Sequence, residues 1–494
     1  MDYQFKTSPY KHQIDALKDC TDKENWAFFM DMGTGKTKTT IDNLGILYLK
    51  GVIDSALIVA PKSVYAMWER EITNHLSNQI KTCIQVWNQN KKIKYDLMQQ
   101  MVPDHLNILL MNVEAFSTRN GTNGAMMFFH RHPKSAFVID EATTIKNQKA
   151  KRTKSILKLA PLAVVRRILT GSPVTKSPLD LFTQCKFLSP QLLGYDSFYA
   201  FRARYAEMHA VYTGPNTQIM LPKYYKNLDE LERKIKTFST RVRKEDCLDI
   251  PPKVYEQRKV QLTGKQKEVY NRLKQHAITV LNDSTVSFNN QLTEILRLHQ
   301  VTNGFVKNDD GQVEEFNNPK LEELMTVLDE INGKAIIWAN YIHNIEQIAD
   351  KIKQEYGKDS YVTMYGATDV EDRKRVCDAF QTDPKVKFFI GNPTVGGYGL
   401  TLHAASYVIY YSNNYNLEVR LQSEDRAHRI GQTKNVLYID IIAEDTVDEK
   451  IVSALDKKLS LSAKTLGEEI KTWQKEKVFY LKQIQFFRLL YPQQ

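Results

Sequence analysis

Asp31-Met32-Gly33-Thr34-Gly35-Lys36-Thr37 stands directly after the apolar run WAFFM (26–30) and before the stretch TKTTIDNLGILYL. Two glycines, a lysine and a hydroxyl between a strand and a helix make a phosphate-gripping loop. Glycine lets backbone N–H groups turn inward around phosphate oxygens, and the positive end of the following helix adds to the field. The pattern assigns Gly33, Thr34, Gly35, Lys36 and Thr37 to a nucleoside triphosphate. Lys36 reaches the outer phosphates and the Thr37 hydroxyl ligates Mg2+. The longer form of this motif has one more glycine five positions before Gly35, where this chain has Met30.

Well downstream, the apolar run AFVID ends on Asp140-Glu141-Ala142-Thr143. Adjacent carboxylates at the C-terminal end of a buried strand suit Asp140 to the Mg2+ shell and Glu141 to activating or positioning an attacking water. Such a pair also caps helices; the phosphate loop upstream favours the catalytic assignment. Leu169-Thr170-Gly171-Ser172-Pro173 follows the next strand and reads equally as a γ-phosphate sensor or a plain turn.

A third cluster, Gln422-Ser423-Glu424-Asp425-Arg426-Ala427-His428-Arg429-Ile430-Gly431-Gln432, lies far along the chain. Spaced three apart, Arg426 and Arg429 are expected on one face of a helix. Planar guanidinium groups match the charge on a transferring phosphoryl group, the arginine-finger role. Upstream, Gly396-Gly397-Tyr398-Gly399-Leu400-Thr401 is a glycine-rich turn that permits close backbone approach to a phosphate.

These groups need elements to hold them. Apolar runs at 26–30, 56–61, 107–112, 136–141 and 166–171 alternate with helix-period segments, as do runs at 334–341, 361–366, 386–392, 407–412 and 436–442. Near-continuous hydrophobicity in each run marks strands buried on both faces, so the fold class is α/β with two parallel-sheet lobes. The expected domains are lobe 1 over 1–180, a mostly helical insertion and linker over 181–318, lobe 2 over 319–450 and a helical tail over 451–494. Amphipathic stretches at 264–282 and 289–300 supply the helices of the insertion. Fingers in lobe 2 then meet the phosphate loop of lobe 1 only when the lobes close, which couples hydrolysis to movement.

The 494 residues exceed one compact core, and about 150 residues per domain predicts about three units. A net charge of +11 favours a polyanionic partner. Cys20, Cys83, Cys185, Cys247 and Cys377 are scattered, which argues against a zinc site or disulfide framework. No run approaches the ~18 apolar residues of a membrane span, and the N-terminus has no signal pattern, so an intracellular protein without a membrane partner is expected. A monomer is expected. The tail from Lys471 to Gln494 mixes basic and aromatic residues; its near-helical spacing favours a packed brace over base stacking.

At these residues the chain resembles the Snf2 family of superfamily 2 helicase-like ATPases, from about residue 8 to residue 452. Ser-Pro-Tyr-Lys-His-Gln (8–13) is similar to the family's adenine-recognising segment, which implies that Gln13 meets the base. Ala60-Pro61-Lys62-Ser63, with Trp68-Glu69 behind it, resembles motif Ia, and Asp140-Glu141-Ala142-Thr143 resembles the DEAH-type box. The most specific match is Asp425 to Gln432 followed by Thr446-Val447-Asp448-Glu449-Lys450-Ile451. Leu298-His299-Gln300-Val301 is a loose version of the family's Arg-Gln-Ile-Cys helix. Val174-Thr175-Lys176-Ser177-Pro178 departs from the usual Gln/Asn-Asn pair. With Phe201-Arg202-Ala203-Arg204-Tyr205 it looks more like the distant subgroup of annealing helicases and fork remodellers.

The resemblance implies two RecA-like lobes that use ATP and Mg2+ to translocate on double-stranded or branched DNA, in a compact bacterial or viral member. Length for bromodomain-, chromodomain- or SANT-like extensions is lacking, which puts nucleosome remodelling in doubt. Family contacts to DNA map onto Lys62, Asn112 and Lys146 in lobe 1 and onto Asn340, Gly397 and Thr401 in lobe 2. Two alternatives stand beside the translocase: a strand-separating helicase, and a nucleic-acid-binding scaffold with a vestigial ATPase. The presence of Lys36, Thr37, Asp140, Glu141, Arg426 and Arg429 together counts against the scaffold.

Overall fold

A computed structural model describes residues 3–88, 102–214, 217–282, 288–308, 310–366, 368, 370–394, 400–429 and 431–468. The strands in chain order begin with β1 (Asn25–Met30), β2 (Ser55–Val59), β3 (Thr82–Val86), β4 (Leu106–Met111), β5 (Ser135–Asp140) and β6 (Val165–Thr170). Next come β7 (Ala206–Gly214), β8 (Thr217–Tyr225), β9 (Ser239–Val242), β10 (Lys253–Val260), β11 (Phe305–Lys307) and β12 (Val313–Glu315). The last are β13 (Lys334–Trp338), β14 (Tyr361–Met364), β15 (Phe388–Gly391), β16 (Ala405–Tyr410) and β17 (Val436–Ala443).

Two larger sheets organise the chain, one per lobe. The first has the order β3-β4-β2-β5-β6-β1-β9 and the second β10-β17-β16-β13-β15-β14. Every pairing within them is parallel. Parallel strands need crossover helices on both faces, so alternate side chains must all find apolar cover. In the first sheet Ala27, Phe29, Leu57, Val59, Phe137 and Ile139 pack on one face. Trp26, Phe28, Ala56, Ile58, Ala136 and Val138 pack on the other. The second sheet divides the same way, with Ile337, Ile390 and Ile439 opposite Trp338, Phe389 and Tyr438. Each such large apolar side chain contributes about 1.5–3 kcal/mol on burial.

Two compact units contain these sheets. One comprises residues up to Glu207, Tyr225–Asp249 and Lys464–Glu468; the other comprises Met208–Tyr224 and Ile250–Ala463. Residues 181–318, expected as a mostly helical insertion, do carry the helices Gly264–Asn282 and Phe288–Thr302. They also supply β9 to the edge of the first sheet and β10 to the edge of the second, and β7 and β8 pair as a sheet of their own. Edge strands have one open side, and β9 and β10 are half-buried rather than continuously apolar, which hides them from a search for buried runs. The helix Val447–Leu466 covers the start of the expected tail; Lys471 to Gln494 lies outside the described residues. No described helix is long and apolar enough to cross a membrane.

Candidate nucleotide site and arginine segment

In a parallel sheet all carboxyl ends open on one edge, where ligands of α/β proteins bind. The first sheet therefore brings the loop after β1, Lys62 after β2, Asn112 after β4, Asp140-Glu141 on β5 and the turn after β6 to a common edge. The loop after β1 turns at Gly33 (φ 82°) and Gly35 (φ 89°), and the helix Lys36–Leu49 starts at Lys36. A Cβ on Gly35 would lie 2.1 Å from Gln13 Nε2, whereas one on Gly33 would meet nothing within 4 Å. Gly33 thus faces open space beside a helix N-terminus, the geometry of a phosphate cradle. Lys36 Nζ donates to Met30 O (2.8 Å) and Asp31 O (3.2 Å). Thr37 is half-buried in the first helical turn.

Gln13 was expected at the base. It is buried; its amide nitrogen donates to Thr34 O (3.2 Å), and its amide oxygen accepts from Tyr10 N (3.0 Å). His12, which the sequence did not single out, donates from Nε2 to the same Thr34 carbonyl (2.8 Å). Both side chains thereby fasten the loop to the N-terminal segment. Their order, His then Gln, was visible, but their place in the first turn of the helix Lys11–Cys20 and their shared acceptor were not.

Asp140 lies buried at the end of β5, and burial raises the pKa of its carboxyl. The indole of Trp68 (Nε1 to Oδ2, 3.0 Å), the nearby Lys36 ammonium and the Glu141 N–H (to Oδ1, 3.0 Å) all act in the opposite direction. Each carboxyl oxygen keeps a further lone pair beyond these bonds. A hard-oxygen donor set of Asp140 and Thr37 beside the phosphate cradle fits Mg2+, which takes few protein ligands and several waters. Glu141 has φ 52° and ψ 63°, a left-handed conformation costly for a residue with a Cβ. Such strain persists only where the surroundings over-determine it, and it collects at working sites.

The contacts expected for DNA are less uniform. Lys62 is exposed in a short 3-10 turn. Asn112 donates to Glu114 Oε2 (2.8 Å). Lys146 donates to the hydroxyl of Thr175 (2.8 Å), in the segment after β6 that departs from the family pattern. Asp180 Oδ2 collects the N–H groups of Thr175 (3.1 Å), Lys176 (2.7 Å) and Ser177 (3.3 Å), and so sets that turn.

In the second sheet the arginine segment differs from the expected helix. The helix Leu417–Glu424 stops before it, and residues 425–429 form turns and bends. The backbone leaves the helix because its groups bond elsewhere. Arg426 O accepts from Leu402 N (3.0 Å), and the Gln432 amide nitrogen binds Ala405 O (2.8 Å) and His403 O (3.0 Å). The two guanidinium groups still converge: Arg426 and Arg429 both donate to Leu400 O, at 3.4 and 2.9 Å. Arg429 also donates to Thr401 Oγ1 (3.0 Å), so Thr401, expected at DNA, is in contact with an expected finger.

The helix ahead of this segment is anchored by buried charge. Arg420 binds Asp440 (NH1 to Oδ1 2.5 Å, NH2 to Oδ2 3.1 Å) and Glu424 Oε1 (2.8 Å), and its guanidinium stacks 3.5 Å from the Tyr410 ring. Glu424 Oε2 also takes Lys253 (3.0 Å) and the Tyr255 hydroxyl (2.9 Å). Burial works to raise the Glu424 pKa, but Lys253 and Arg420 prevail and hold it below the usual carboxylate range. Asn340 follows β13; its N–H donates to Ser412 Oγ (2.9 Å), and its side-chain oxygen accepts from Asn414 (3.2 Å). Gly397 lies outside the described residues.

A model of the SNF2-related domain matches residues 12–307, which spans the phosphate loop, the Asp140-Glu141 strand and most of the insertion. The chain belongs to the SNF2-related family. A model of the helicase conserved C-terminal domain matches residues 319–431 of this SNF2-related chain and ends at the arginine segment. The chain is 25% identical over 448 residues to an uncharacterized ATP-dependent helicase of Mycoplasma genitalium, covering 89% of this chain and 40% of the relative. It is 26% identical over 453 residues to the human SWI/SNF-related matrix-associated actin-dependent regulator of chromatin subfamily A member 1, covering 88% of this chain and 41% of that protein. The SNF2-related chain thus spans about two-fifths of these relatives. A solved Sulfolobus solfataricus SWI2/SNF2 ATPase core in complex with dsDNA shares 23% identity, with 95% of each chain covered and a TM-score of 0.43.

Proposed function

We propose that this SNF2-related chain is an ATP-dependent motor on double-stranded DNA. The observation that carries the reading is the carboxyl edge of the first sheet, where the phosphate cradle, Lys36 and the Asp140-Glu141 pair stand together. Gly33, Thr34, Gly35 and Lys36 grip the phosphates of ATP. Thr37 and Asp140 would hold Mg2+, which neutralises phosphate charge and fixes the transferring group when bound. Glu141, in its strained conformation, orients or deprotonates the attacking water. Arg426 and Arg429 stabilise charge on the phosphoryl group in the transition state, and their separate location in the second lobe links hydrolysis to lobe movement.

Gln13 acts by holding the loop at Thr34 O and keeps the adenine contact that the resemblance implies. Lys62, Asn112, Lys146, Asn340, Gly397 and Thr401 are the proposed DNA contacts. The net charge of +11 supports a phosphate-tracking partner. Remodelling or annealing of branched DNA is the finer form of this reading.

Strand separation is a second reading, favoured by the isolated β7–β8 pair with Met220 and Leu221 exposed on β8. Neighbouring strand residues point to opposite faces, so apolar groups are offered on both sides, as a wedge between bases requires. ATP hydrolysis with and without duplex DNA, run beside triplex-displacement and fork-unwinding assays, tests both. Hydrolysis is expected to rise with duplex and to vanish in Lys36→Ala. Hydrolysis indifferent to any nucleic acid overturns the motor, and triplex displacement without unwinding overturns the wedge.

A further inference from the structure

Asp31, the first residue of the phosphate loop, is held from an unexpected quarter. Its carboxylate accepts from Arg241 on β9 (Oδ1, 2.8 Å) and from the Lys244 N–H (Oδ2, 3.0 Å). Its carbonyl accepts from Thr34 Oγ1 (2.8 Å) and Lys36 Nζ (3.2 Å). Asp31 is therefore the base on which the phosphate-gripping residues stand. The same Arg241 nitrogen donates to Phe29 O on β1 (3.1 Å) and to Gly171 O in the turn after β6 (3.3 Å). One guanidinium thus joins the phosphate loop to the Thr170–Pro173 turn.

Arg241 has one more partner. Its Nε donates to Glu468 Oε1 (2.5 Å), in the segment Lys464–Glu468 that packs with the first unit. Gly467 puts Glu468 there. It has φ 68°, and a Cβ on it would lie 2.0 Å from Glu232 Oε1 in the helix Leu228–Lys236. Burial opposes charge on Arg241, but Asp31 and Glu468 outweigh it and keep the guanidinium protonated.

We propose that Arg241 is a positioning residue of the nucleotide site, fixing the phosphate loop through Asp31 and the Gly171 turn, and that Glu468 controls how firmly it does so. The inference rests on the ATP-site reading above. A partner that lifts the Lys464–Glu468 segment off β9 would loosen the grip on ATP without touching a phosphate-contacting residue. Arginine is required because a single ammonium cannot keep acceptors on β1, the loop, the turn and Glu468 in one plane.

The test uses the full chain and the variants Glu468→Gln, Gly467→Ala and Arg241→Lys. It measures the Kd of a fluorescent ATP analogue with Mg2+, the KM and kcat of duplex-stimulated hydrolysis, and Tm. Each variant is expected to raise Kd and KM about tenfold, the size of one charge-assisted hydrogen bond, with Tm unchanged in Glu468→Gln. Glu468→Gln added to Arg241→Lys should cost little more, because both act through one guanidinium. Unchanged Kd in Glu468→Gln and Gly467→Ala overturns the proposal, as does full additivity. If the parent chain binds the analogue but does not hydrolyse ATP, the motor reading fails while the Kd comparison still decides the role of Arg241. If Arg241→Lys does not fold, the two C-terminal variants decide it.

Discussion

Each lobe buries an arginine, and the two are neutralised in opposite ways. Among the described residues, Arg167 on β6 of the first lobe has no side-chain carboxylate as a hydrogen-bond partner. It donates to Asn43 Oδ1 (3.0 Å) and to the carbonyls of Glu24 (2.8 Å), Lys23 (2.9 Å), Arg166 (2.9 Å) and Cys20 (3.1 Å). Burial pushes its pKa down to about 10. In the second lobe Arg420 is bound by Asp440 and Glu424, and Lys320 by Asp448 (2.8 Å). Burial opposes the charge on Arg420 as well, yet the carboxylates lift its pKa well above the ordinary value. The first lobe uses a cation to bind the carbonyls of the Cys20–Glu24 turn that leads into the amino end of β1. The second uses ion pairs to hold the helix that leads into the arginines proposed as fingers. Chemistry and acid sensitivity should therefore divide between the lobes.

The largest expected effect separates binding from transition-state stabilisation. Arg429→Ala should lower kcat by about 10³-fold with the Kd for ATP little changed, whereas Lys36→Ala should lose binding as well. Single-turnover kinetics beside nucleotide binding checks this. Weakened binding alone in Arg429→Ala would remove the functional contrast between the lobes.

Next in size is stability. Asp440→Asn leaves Arg420 buried with half its pairing and should destabilise the second lobe by about 3–5 kcal/mol. Arg167→Met strands carbonyls rather than a charge and should cost the first lobe about 1–3 kcal/mol. Hydrogen exchange resolved by segment, combined with urea titration, reads the two separately. Equal losses would erase the distinction.

Acid should weaken the second lobe more steeply. The Glu424 and Asp448 carboxyls are held below their unfolded values of 4.5 and 3.8. Burial is outweighed by Lys253 and Arg420 at Glu424 and by the paired Lys320 at Asp448. Their stabilisation is complete above the unfolded values and is lost as pH falls through the lower folded ones. His299 adds to the slope. Burial drops its pKa from 6.5 to about 4, so the unfolded chain takes up its proton first between those values. Asp140 in the first lobe has a raised pKa and works in the other direction, its burial cost easing as pH falls. Exchange in the second lobe should accelerate from below pH 6.5 as His299 protonates in the unfolded chain. His132 in the first lobe is lowered by burial too and adds in the same sense there, so the lobes should differ in slope, and equal slopes would contradict the division.

The smallest effect concerns Thr401. Thr401→Val removes one acceptor of Arg429 while Leu400 O remains, so kcat should fall several-fold, in line with about 1 kcal/mol for one hydrogen bond. If only DNA affinity changes, Thr401 is a DNA contact and not a support for Arg429.

Ten strands were legible as apolar runs, and all ten lie in the two large sheets. The runs WAFFM and AFVID correspond to β1 and β5, whose residues are almost all buried. The sheet strands that escaped, β3, β9 and β10, each lie at a sheet edge, and their mixed side chains carry no such signal. At the candidate site Gly33, Gly35, Lys36, Asp140 and Glu141 could be singled out because their chemistry is local. The roles of Trp68, His12, Asp31 and Arg241 could not, because each depends on a partner distant in sequence, and Asp180 acts on nearby backbone N–H groups that no residue type announces. Arg426 and Arg429 were identified by type and spacing, but a helix was the wrong scaffold, since Leu402 N and the Gln432 side-chain amide take the carbonyls of Arg426 and Ala427.

By itself the sequence determined two parallel sheets, a phosphate loop after the first strand, an acidic pair on a later one and a distant arginine pair. Hydrophobic period and local loop chemistry need only neighbours along the chain. Tertiary structure alone decided that Glu141 is strained, that both arginines share one carbonyl, that Asp140 is buried against Trp68, and that Arg241 ties Asp31 to Gly171 and Glu468. These depend on which strands become neighbours, and a buried charge or donor takes whichever partner the packed sheet brings within about 3 Å.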